Sequence, residues 1–362
     1  MRATRGQVLA LRARASQLGR TGGALEDTSV LDLGVQDTGA DGASWALAQR
    51  GVDVTGLPAD ALVTVWSLRG APHVYRRADL PSVAAALRPF SEADAGKRVF
   101  DAGKPLRAAG IPVLEALDVV AGVMRDLVVA PMVKGDMSGR LSELLPEPYL
   151  RRCVPCQATH SHEMTFRLAA LPAGLELRPG TSPPVLVPVP GFAPDAQPSP
   201  RHDVVRGYLR LHGPATPRQV AAHVDAPVKD VRARWPSDAV EVDVDGERRW
   251  LLADGVAALD AGPVEGVHLL GAYDPLLQAR DRDLLVPDRA RAKELWPVLG
   301  RPGAVVVDGE VVGSWRAQQR KGLAVTASLW SAPAPGVRAA LGQQAERLAA
   351  HRGLALAQLD LG

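Results

Sequence analysis

The stretch that decides the fold runs from residue 199 to residue 252 and reads SPRHDVVRGYLRLHGPATPRQVAAHVDAPVKDVRARWPSDAVEVDVDGERRWLL. Its first part predicts three short helices, because capping residues and prolines precede three apolar stripes at helical spacing. Alternating valines at 240–244 and the pair Asp245–Gly246 then predict a β-hairpin. Three helices followed by a hairpin form the layout of a winged helix. Such a module either places a recognition helix in a DNA groove or serves as a scaffold and protein contact.

A chain of 362 residues is too long for one such module, and 46% apolar with 23% charged residues is typical of a globular protein. The order of helices followed by a hairpin recurs twice before residue 199. The sequence after Asp254 is rich in strand patterns and closes with a helix at 335–351. We therefore predict an α+β fold of tandem winged-helix (helix-turn-helix plus β-hairpin) modules with a small C-terminal β-barrel-like domain. The predicted units are a first module at 1–90, a second module at 91–180, a Pro-rich connector at 181–200, a third module at 201–254 and a β-rich C-terminal domain at 255–362.

Two local predictions concern the middle of the chain. Residues 163–178 predict the hairpin of the second module, with a turn near Pro172-Ala173-Gly174. Residues 179–200 contain eight prolines. Because proline lacks an amide donor, this stretch is predicted to be an extended connector, with neither a helix nor a central strand.

The net charge of +2 excludes a uniformly basic surface, so contacts with nucleic acid must come from local patches. One patch is the N-terminus, where the first 24 residues carry five arginines and no acidic residue. Arg12 and Arg14 in this patch either face phosphates or belong to a solvated helix face. A second basic group, Arg316, Arg320 and Lys321, has no acidic residue nearby and is predicted to contact the DNA backbone.

Several classes of protein are excluded by what the sequence lacks. It has no run of eighteen apolar residues, which a membrane-spanning helix would need, and its two cysteines exclude a disulfide framework. It has no Gly-rich phosphate loop, Ser/His/Asp nucleophile motif or HExxH helix, and we expect no cofactor. Only six of the 42 basic residues are lysine, and the richness in Ala, Gly, Pro and Arg is typical of GC-rich bacterial genomes. We expect a cytoplasmic protein.

One short segment offers the ligand types of a zinc site. Cys153, Cys156, His160 and His162 lie within ten residues of one another. The histidine pair follows too closely for a zinc finger, in which about twelve residues or more separate the two ligand pairs. The alternative is a buried cysteine pair beside a hydrogen-bonded histidine. We therefore predict no metal and keep these four residues as the candidate ligands should one bind.

Six blocks spread along the chain resemble the AlkZ/YcaQ-like winged-helix DNA glycosylases, which unhook alkylated purines and interstrand crosslinks. The blocks are LGVQDT at 33–38, WSLRGAPH at 66–73, YLRRC at 149–153, LLGAYDP at 269–275, RDRD at 280–283 and VDGEVVGSW at 307–315. The resemblance implies three tandem winged helices and a β-barrel that curve around duplex DNA. This organisation agrees with the modules predicted above from the residues.

The resemblance also implies a catalytic segment. Characterised members of this family share a Gln-apolar-Gln or Gln-apolar-Asp motif that lies between DNA and water in the first module. The corresponding residues here are Gln36, Asp37 and Thr38, and the number of residues from Gln36 to Arg50 matches the family's spacing. Asp37 is charged where the family has an apolar residue. A shift of one residue would instead align Asp37 with the carboxylate of the second form of the motif.

These three side chains suit the hydrolysis of an N-glycosidic bond. The sugar passes through an oxocarbenium-like state, which requires a stabilised positive charge and a positioned water. Asp37 could accept a proton from that water and face the cation, while Gln36 and Thr38 orient the water by hydrogen bonds. The alternative is a polar turn in which Asp37 or Thr38 caps the next helix.

A second element of the resemblance is Arg69-Gly70-Ala71-Pro72-His73, which is similar to the family's Arg-Gly-x-x-His element near the active face. Arg69 and His73 either contact phosphate or form a hydrogen bond that locks the turn. The sequence as a whole predicts a monomeric, monofunctional DNA glycosylase that acts on alkylated purines in double-stranded DNA. The alternative is a non-catalytic DNA-binding protein, such as a transcriptional regulator, on the same scaffold.

Overall fold

Helices and small β-sheets alternate along the whole chain, so the predicted α+β class is confirmed. The computed structural model describes residues 1–40, 42–155 and 157–362. No helix in these ranges is both long and apolar enough to cross a membrane.

The first part of the chain contains four helices and a three-stranded antiparallel sheet. Residues 62–76 form a hairpin, in agreement with the predicted order of helices followed by a hairpin, and a short strand adds to it to give the order β2-β4-β3. The elements are β1 (Arg2–Ala3), α1 (Arg5–Ala15), α2 (Val30–Leu33), β2 (Val35–Gln36), α3 (Gly42–Ala48), β3 (Leu62–Trp66), β4 (Pro72–Arg76) and α4 (Leu80–Leu87).

The second part packs its helices around a separate apolar core that includes Met124, Leu141 and Phe166. A hairpin of β6 and β7 and a sheet of order β5-β9-β8 complete it. The elements are α5 (Glu92–Arg98), α6 (Gly103–Ala108), α7 (Val113–Leu127), β5 (Met132–Val133), α8 (Lys134–Leu144), β6 (Leu150–Cys153), β7 (Ala158–Ser161), α9 (Glu163–Ala170), β8 (Leu175–Leu177) and β9 (Val185–Pro188).

Two predictions for this part are wrong. Residues 163–178 do not form a hairpin, because Glu163–Ala170 is a helix whose buried Phe166, Ala169 and Ala170 recur at helical spacing. The Pro-rich stretch does contain a central strand, because β9 lies between β5 and β8. Pro184 precedes this strand and Pro188 ends it, so the three residues between them keep their amide donors for pairing.

The stretch at 199–252 contains the predicted three helices and hairpin. Thr216 and Gln219 form the capping box of the second helix, and the hairpin turns through Asp245 and Gly246, whose φ angles are 50° and 90°. An unpredicted strand joins the hairpin, because β1 pairs in parallel with β10. The elements are α10 (Val204–His212), α11 (Pro217–Val224), α12 (Val228–Ala233), β10 (Ala239–Val244) and β11 (Glu247–Leu252).

The last part is a five-stranded sheet of order β12-β13-β14-β15-β16 with α15 packed on it through Leu341 and Leu348. Within the described residues the edge strands β12 and β16 do not pair, so the sheet is open where a barrel-like domain was predicted. The elements are β12 (Val267–Leu270), α13 (Arg282–Leu285), α14 (Arg289–Leu295), β13 (Gly303–Val307), β14 (Glu310–Gln319), β15 (Leu323–Leu329), α15 (Pro335–His351) and β16 (Leu356–Asp360).

Two buried ion pairs tie the N-terminal part of the chain to the C-terminal part. Arg12 is fully buried on α1 and donates two hydrogen bonds to Asp281, at 2.7 and 3.0 Å. Arg50, which follows α3, binds both carboxylate oxygens of Asp274 at 2.9 Å. Because a charge is costly to bury without its partner, both pairs fix the relative positions of these segments.

Candidate active site

The segment Gln36-Asp37-Thr38 lies beside the turn that carries Arg69 and His73. Gln36 on β2 is the cross-strand partner of His73 on β4, and the Asp37 amide donates to the Pro72 carbonyl at 2.9 Å. The chain enters β2 through Gly34, at φ 86°, where an added Cβ would lie 2.3 Å from the Tyr75 ring. Sheet pairing therefore brings together the two elements on which the family resemblance rests.

The three side chains of this segment have different contacts. The Gln36 amide nitrogen donates to the Thr38 hydroxyl at 3.2 Å, so the Gln36 carbonyl oxygen faces away from that bond. One Asp37 oxygen accepts the Ala43 amide at 2.9 Å in the first turn of α3. Asp37 therefore caps α3, which is the structural alternative considered for this segment.

Thr38 opens onto a cleft of about 340 Å³ between the first part of the chain and the C-terminal sheet. One wall is formed by Thr38, Gly39, Ala40 and Gly42, and Tyr273 and Trp315 lie on the other side. Arg301, Arg316 and Arg352 also line the cleft, together with Asp274, whose carboxylate is paired with Arg50, so the net charge of the cleft is positive. The cleft has the size of a small-ligand pocket, such as a nucleobase would need.

A second, larger groove of about 720 Å³ continues from this cleft across the C-terminal sheet. Trp315 and Arg316 line both, and the groove then passes Arg320 and Lys321 in the turn between β14 and β15. Arg316, Arg320 and Lys321 are all exposed. The three basic residues predicted to contact DNA thus lie along one surface that leads to Thr38.

Arg69, Arg280 and Arg301 add further positive charge near this segment. Burial lowers the pKa of Arg69 to about 9, and the charges of Arg280 and Arg301 contribute. Burial also lowers the pKa of Arg280, again with a contribution from Arg301. Asp225 partly offsets this effect for both residues. Clustered guanidinium groups of this kind favour the binding of an anion such as phosphate.

His73, the other residue of the Arg-Gly-x-x-His element, lies in the interior. Its side chain is 3% exposed, and Nδ1 lies 3.0 Å from the Ala71 carbonyl. Burial, together with the charge of Arg69, lowers the pKa of His73 to about 3. The imidazole is therefore neutral at ordinary pH, and it is too deeply buried for a phosphate to contact it. This favours the alternative in which His73 forms a hydrogen bond that locks the turn.

The N-terminal basic run, predicted as a candidate DNA contact, is engaged within the protein. Arg12 is buried against Asp281, so we correct its interpretation from a phosphate contact to a structural residue. Arg14 is exposed but donates to the carbonyls of Ala261 and Gly262 at 2.9 and 3.0 Å. Sequence reasoning also missed Arg301, whose isolated position among prolines and glycines gave no local signal.

The candidate zinc ligands do not converge in the described part of the chain, and Cys156 lies outside it. His160 Nδ1 is 3.5 Å from the Ser138 hydroxyl, whereas the buried His162 Nδ1 is 3.6 Å from Asp101. Another group, Asp32, Asp79 and His202, has metal-ligand chemistry and spacing. Its carboxylates already bind arginine, because Arg76 donates to Asp32 at 2.8 Å and to Asp79 at 2.9 Å. We interpret this group as an ion-pair network.

Buried neutral histidines predict that the protein loses stability in mild acid. Burial lowers the pKa of His212 to about 3 and that of His223 well below its ordinary value, as it does for His73. The unfolded chain then binds more protons below pH about 6.5, so the free energy of unfolding falls as the pH drops. We expect a slope of about 1.4 kcal/mol per pH unit from each of His73 and His212 between about pH 6 and pH 4, and His223 should add to the loss in the same direction.

Urea unfolding at several pH values would measure this slope, and His212→Gln is the matched variant. It removes one titrating group, so its slope should be smaller by about 1.4 kcal/mol per pH unit. An unchanged slope would show that His212 titrates normally in the folded protein.

Two comparisons with known proteins identify relatives of this chain. The family model of DNA glycosylase AlkZ-like proteins matches residues 30–351. Among solved structures, the chain is similar to the Streptomyces sahachiroi DNA glycosylase AlkZ, with a TM-score of 0.75, 22% identity and 100% of both chains covered. No curated protein sequence matches. The structural likeness concerns the fold, whereas the family match spans residues 30–351 and therefore contains the motif segment and the Arg69–His73 turn. The chain therefore belongs to the AlkZ-like DNA glycosylase family.

Proposed function

We propose that this protein is a monofunctional DNA glycosylase that hydrolyses the N-glycosidic bond of cationic N3- or N7-alkylated purines in duplex DNA. One observation carries the proposal: the motif segment opens through Thr38 onto a positively charged cleft of nucleobase size. The positive charge of the cleft would attract a polyanionic duplex. Because the protein as a whole is nearly neutral, this attraction would be confined to the cleft and its groove.

In this proposal the three helix-and-hairpin units are winged-helix modules that hold the duplex, and the C-terminal sheet contributes the basic groove. Arg316, Arg320 and Lys321 would contact successive phosphates. Arg69 is half-buried and donates to the His223 carbonyl, so its charge would act on the duplex without replacing that bond. Such contacts fix the register of the duplex without reading its sequence. This arrangement suits a repair enzyme, which must act in any sequence context.

The chemistry requires little from the protein beyond a positioned water and negative charge. An alkylated purine is already cationic, so the electrons of the broken C1′–N bond neutralise it as it leaves. Water attacks C1′ of the oxocarbenium-like sugar and then loses a proton. The Gln36 carbonyl oxygen and the Thr38 hydroxyl would orient this water. The Asp37 carboxylate would stabilise the sugar cation and accept the proton.

The test is the formation of abasic sites in oligonucleotides that carry N7-methylguanine or N3-methyladenine. We expect excision by the unmodified protein and a loss of about 100-fold in the single-turnover rate for Gln36→Ala, because the water loses an orienting group. Gln343→Ala is the control, since this exposed glutamine lies on α15 outside the cleft. Absence of abasic sites with both lesions would refute the proposal.

A second candidate function is DNA binding without catalysis, and the contacts of Asp37 favour it. This residue replaces the family's apolar position and caps α3, as a purely structural residue would. A non-catalytic protein would bind duplex DNA with an affinity that falls steeply with salt, and it would release no base. Measuring DNA affinity beside excision separates the two functions.

A further inference from the structure

Two apolar side chains project from the protein beside the cleft. Val298 and Leu299 are 95% and 86% exposed, the highest values among the large apolar residues of the described ranges. They are adjacent in the loop that joins α14 to β13. Single exposed apolar residues are common, whereas two neighbours at one loop tip form a small continuous apolar surface.

The base of this loop is fixed although its tip is exposed. Leu295 is buried at its start, and Arg316 Nη2 donates to the Gly300 carbonyl at 2.7 Å. Arg301, the next residue, lies over the Tyr273 ring with its guanidinium carbon 5.3 Å from the ring centroid. Because Gly300 and Arg301 line the cleft, Val298 and Leu299 stand at its rim.

We propose that Val298 and Leu299 form an apolar wedge that enters the base stack of duplex DNA and unstacks the nucleotide facing the cleft. The proposal rests on the proposed function, because the N-glycosidic bond of a nucleotide that stays stacked in the duplex is shielded from the motif segment. Proteins that distort DNA commonly insert such side chains between base steps, since the faces of the bases are apolar. Arg301 and Arg316 would hold the phosphates on either side of the inserted residues.

The charge around the wedge favours DNA over a second copy of this chain as its partner. Arg301 and Arg316 flank the loop, and the groove beyond them adds Arg320 and Lys321. An identical basic surface would repel this one, whereas a phosphate backbone would neutralise it.

The test compares the double variant Val298→Ser/Leu299→Ser with Val129→Ser. Val129 is 80% exposed and lies between α7 and β5, outside the lining of the cleft, so it controls for the loss of exposed apolar surface. Excision would be measured on N7-methylguanine paired with cytosine and on the same lesion opposite an abasic analogue, where unstacking is easier. We expect the double variant to be about tenfold slower on the paired substrate and nearly unchanged on the other.

A second readout needs no excision. A 2-aminopurine placed beside N7-methylguanine on a 2′-fluoro sugar, which resists hydrolysis, brightens when its stacking is lost. The unmodified protein and Val129→Ser should raise its fluorescence, and the double variant should not. This result would support the wedge even if no abasic sites formed, in which case the proposed function alone would fail. Equal slowing on both substrates, no brightening by the unmodified protein, or a change in oligomeric state without DNA would overturn the wedge.

Discussion

Replacing Asp281 with asparagine is expected to lower the free energy of unfolding by about 3–5 kcal/mol. Asp281 lies between two buried guanidinium groups, those of Arg12 and Arg249, and binds both. Burial alone would raise the pKa of this carboxyl group, but the charges of Arg12 and Arg249 outweigh burial and hold the pKa below its ordinary value. Asparagine keeps the shape but leaves the buried Arg12 without a carboxylate partner, and it leaves Arg249 with Glu247 alone.

Urea unfolding at neutral pH would measure this loss, and Asp283→Asn supplies the matched control. Asp283 lies two residues further along and is exposed. Its replacement removes the same charge from the surface, where the effect should stay within about 0.5 kcal/mol. If the two variants were equally stable, Asp281 would not be the carboxylate that holds these arginines in place.

The largest effect on catalysis is expected for Asp37→Asn, which should lower the excision rate by about 100-fold or more. Asparagine caps a helix about as well as aspartate, so the hydrogen bond from the Ala43 amide should survive and the stability should change little. Only the charge is lost, and in the proposed mechanism this charge faces the sugar cation and accepts the proton.

Single-turnover excision and thermal unfolding of Asp37→Asn, measured together, separate the two roles of this residue. A large fall in rate with an unchanged melting temperature would assign the charge to catalysis. An unchanged rate would leave Asp37 as a helix cap alone, and the water would then depend on Gln36 and Thr38.

Much of the fold could be predicted because its signals are local. The capping box at Thr216, the Asp245–Gly246 turn and the apolar face of α15 each lie within a few residues of the structure they specify. Strand β9 and helix α9 were missed for different reasons. The prolines around β9 favoured the prediction of a connector. The turn signal at Pro172-Ala173-Gly174 favoured a hairpin, so the helix before it was predicted as a strand.

The candidate site was less predictable, because its geometry depends on distant residues. The family resemblance identified the motif segment and the Arg69–His73 turn, and sheet pairing joins them. No local signal showed that Arg12 would be buried, since its partner Asp281 lies 269 residues later in the chain. The same reason explains why Arg301, which meets the motif segment only across the cleft, was missed.

The parallel pairing of β1 with β10 has a consequence for the order of events during synthesis. The Asp243 amide donates to the Met1 carbonyl, and Arg12 finds its carboxylate only at residue 281. The ribosome therefore makes the first fifteen residues long before the segments that bury them exist. Until then Val8, Leu11 and the Arg12 guanidinium lack the partners that bury them, so α1 can reach its final position only after the segments near residues 243 and 281 have been made.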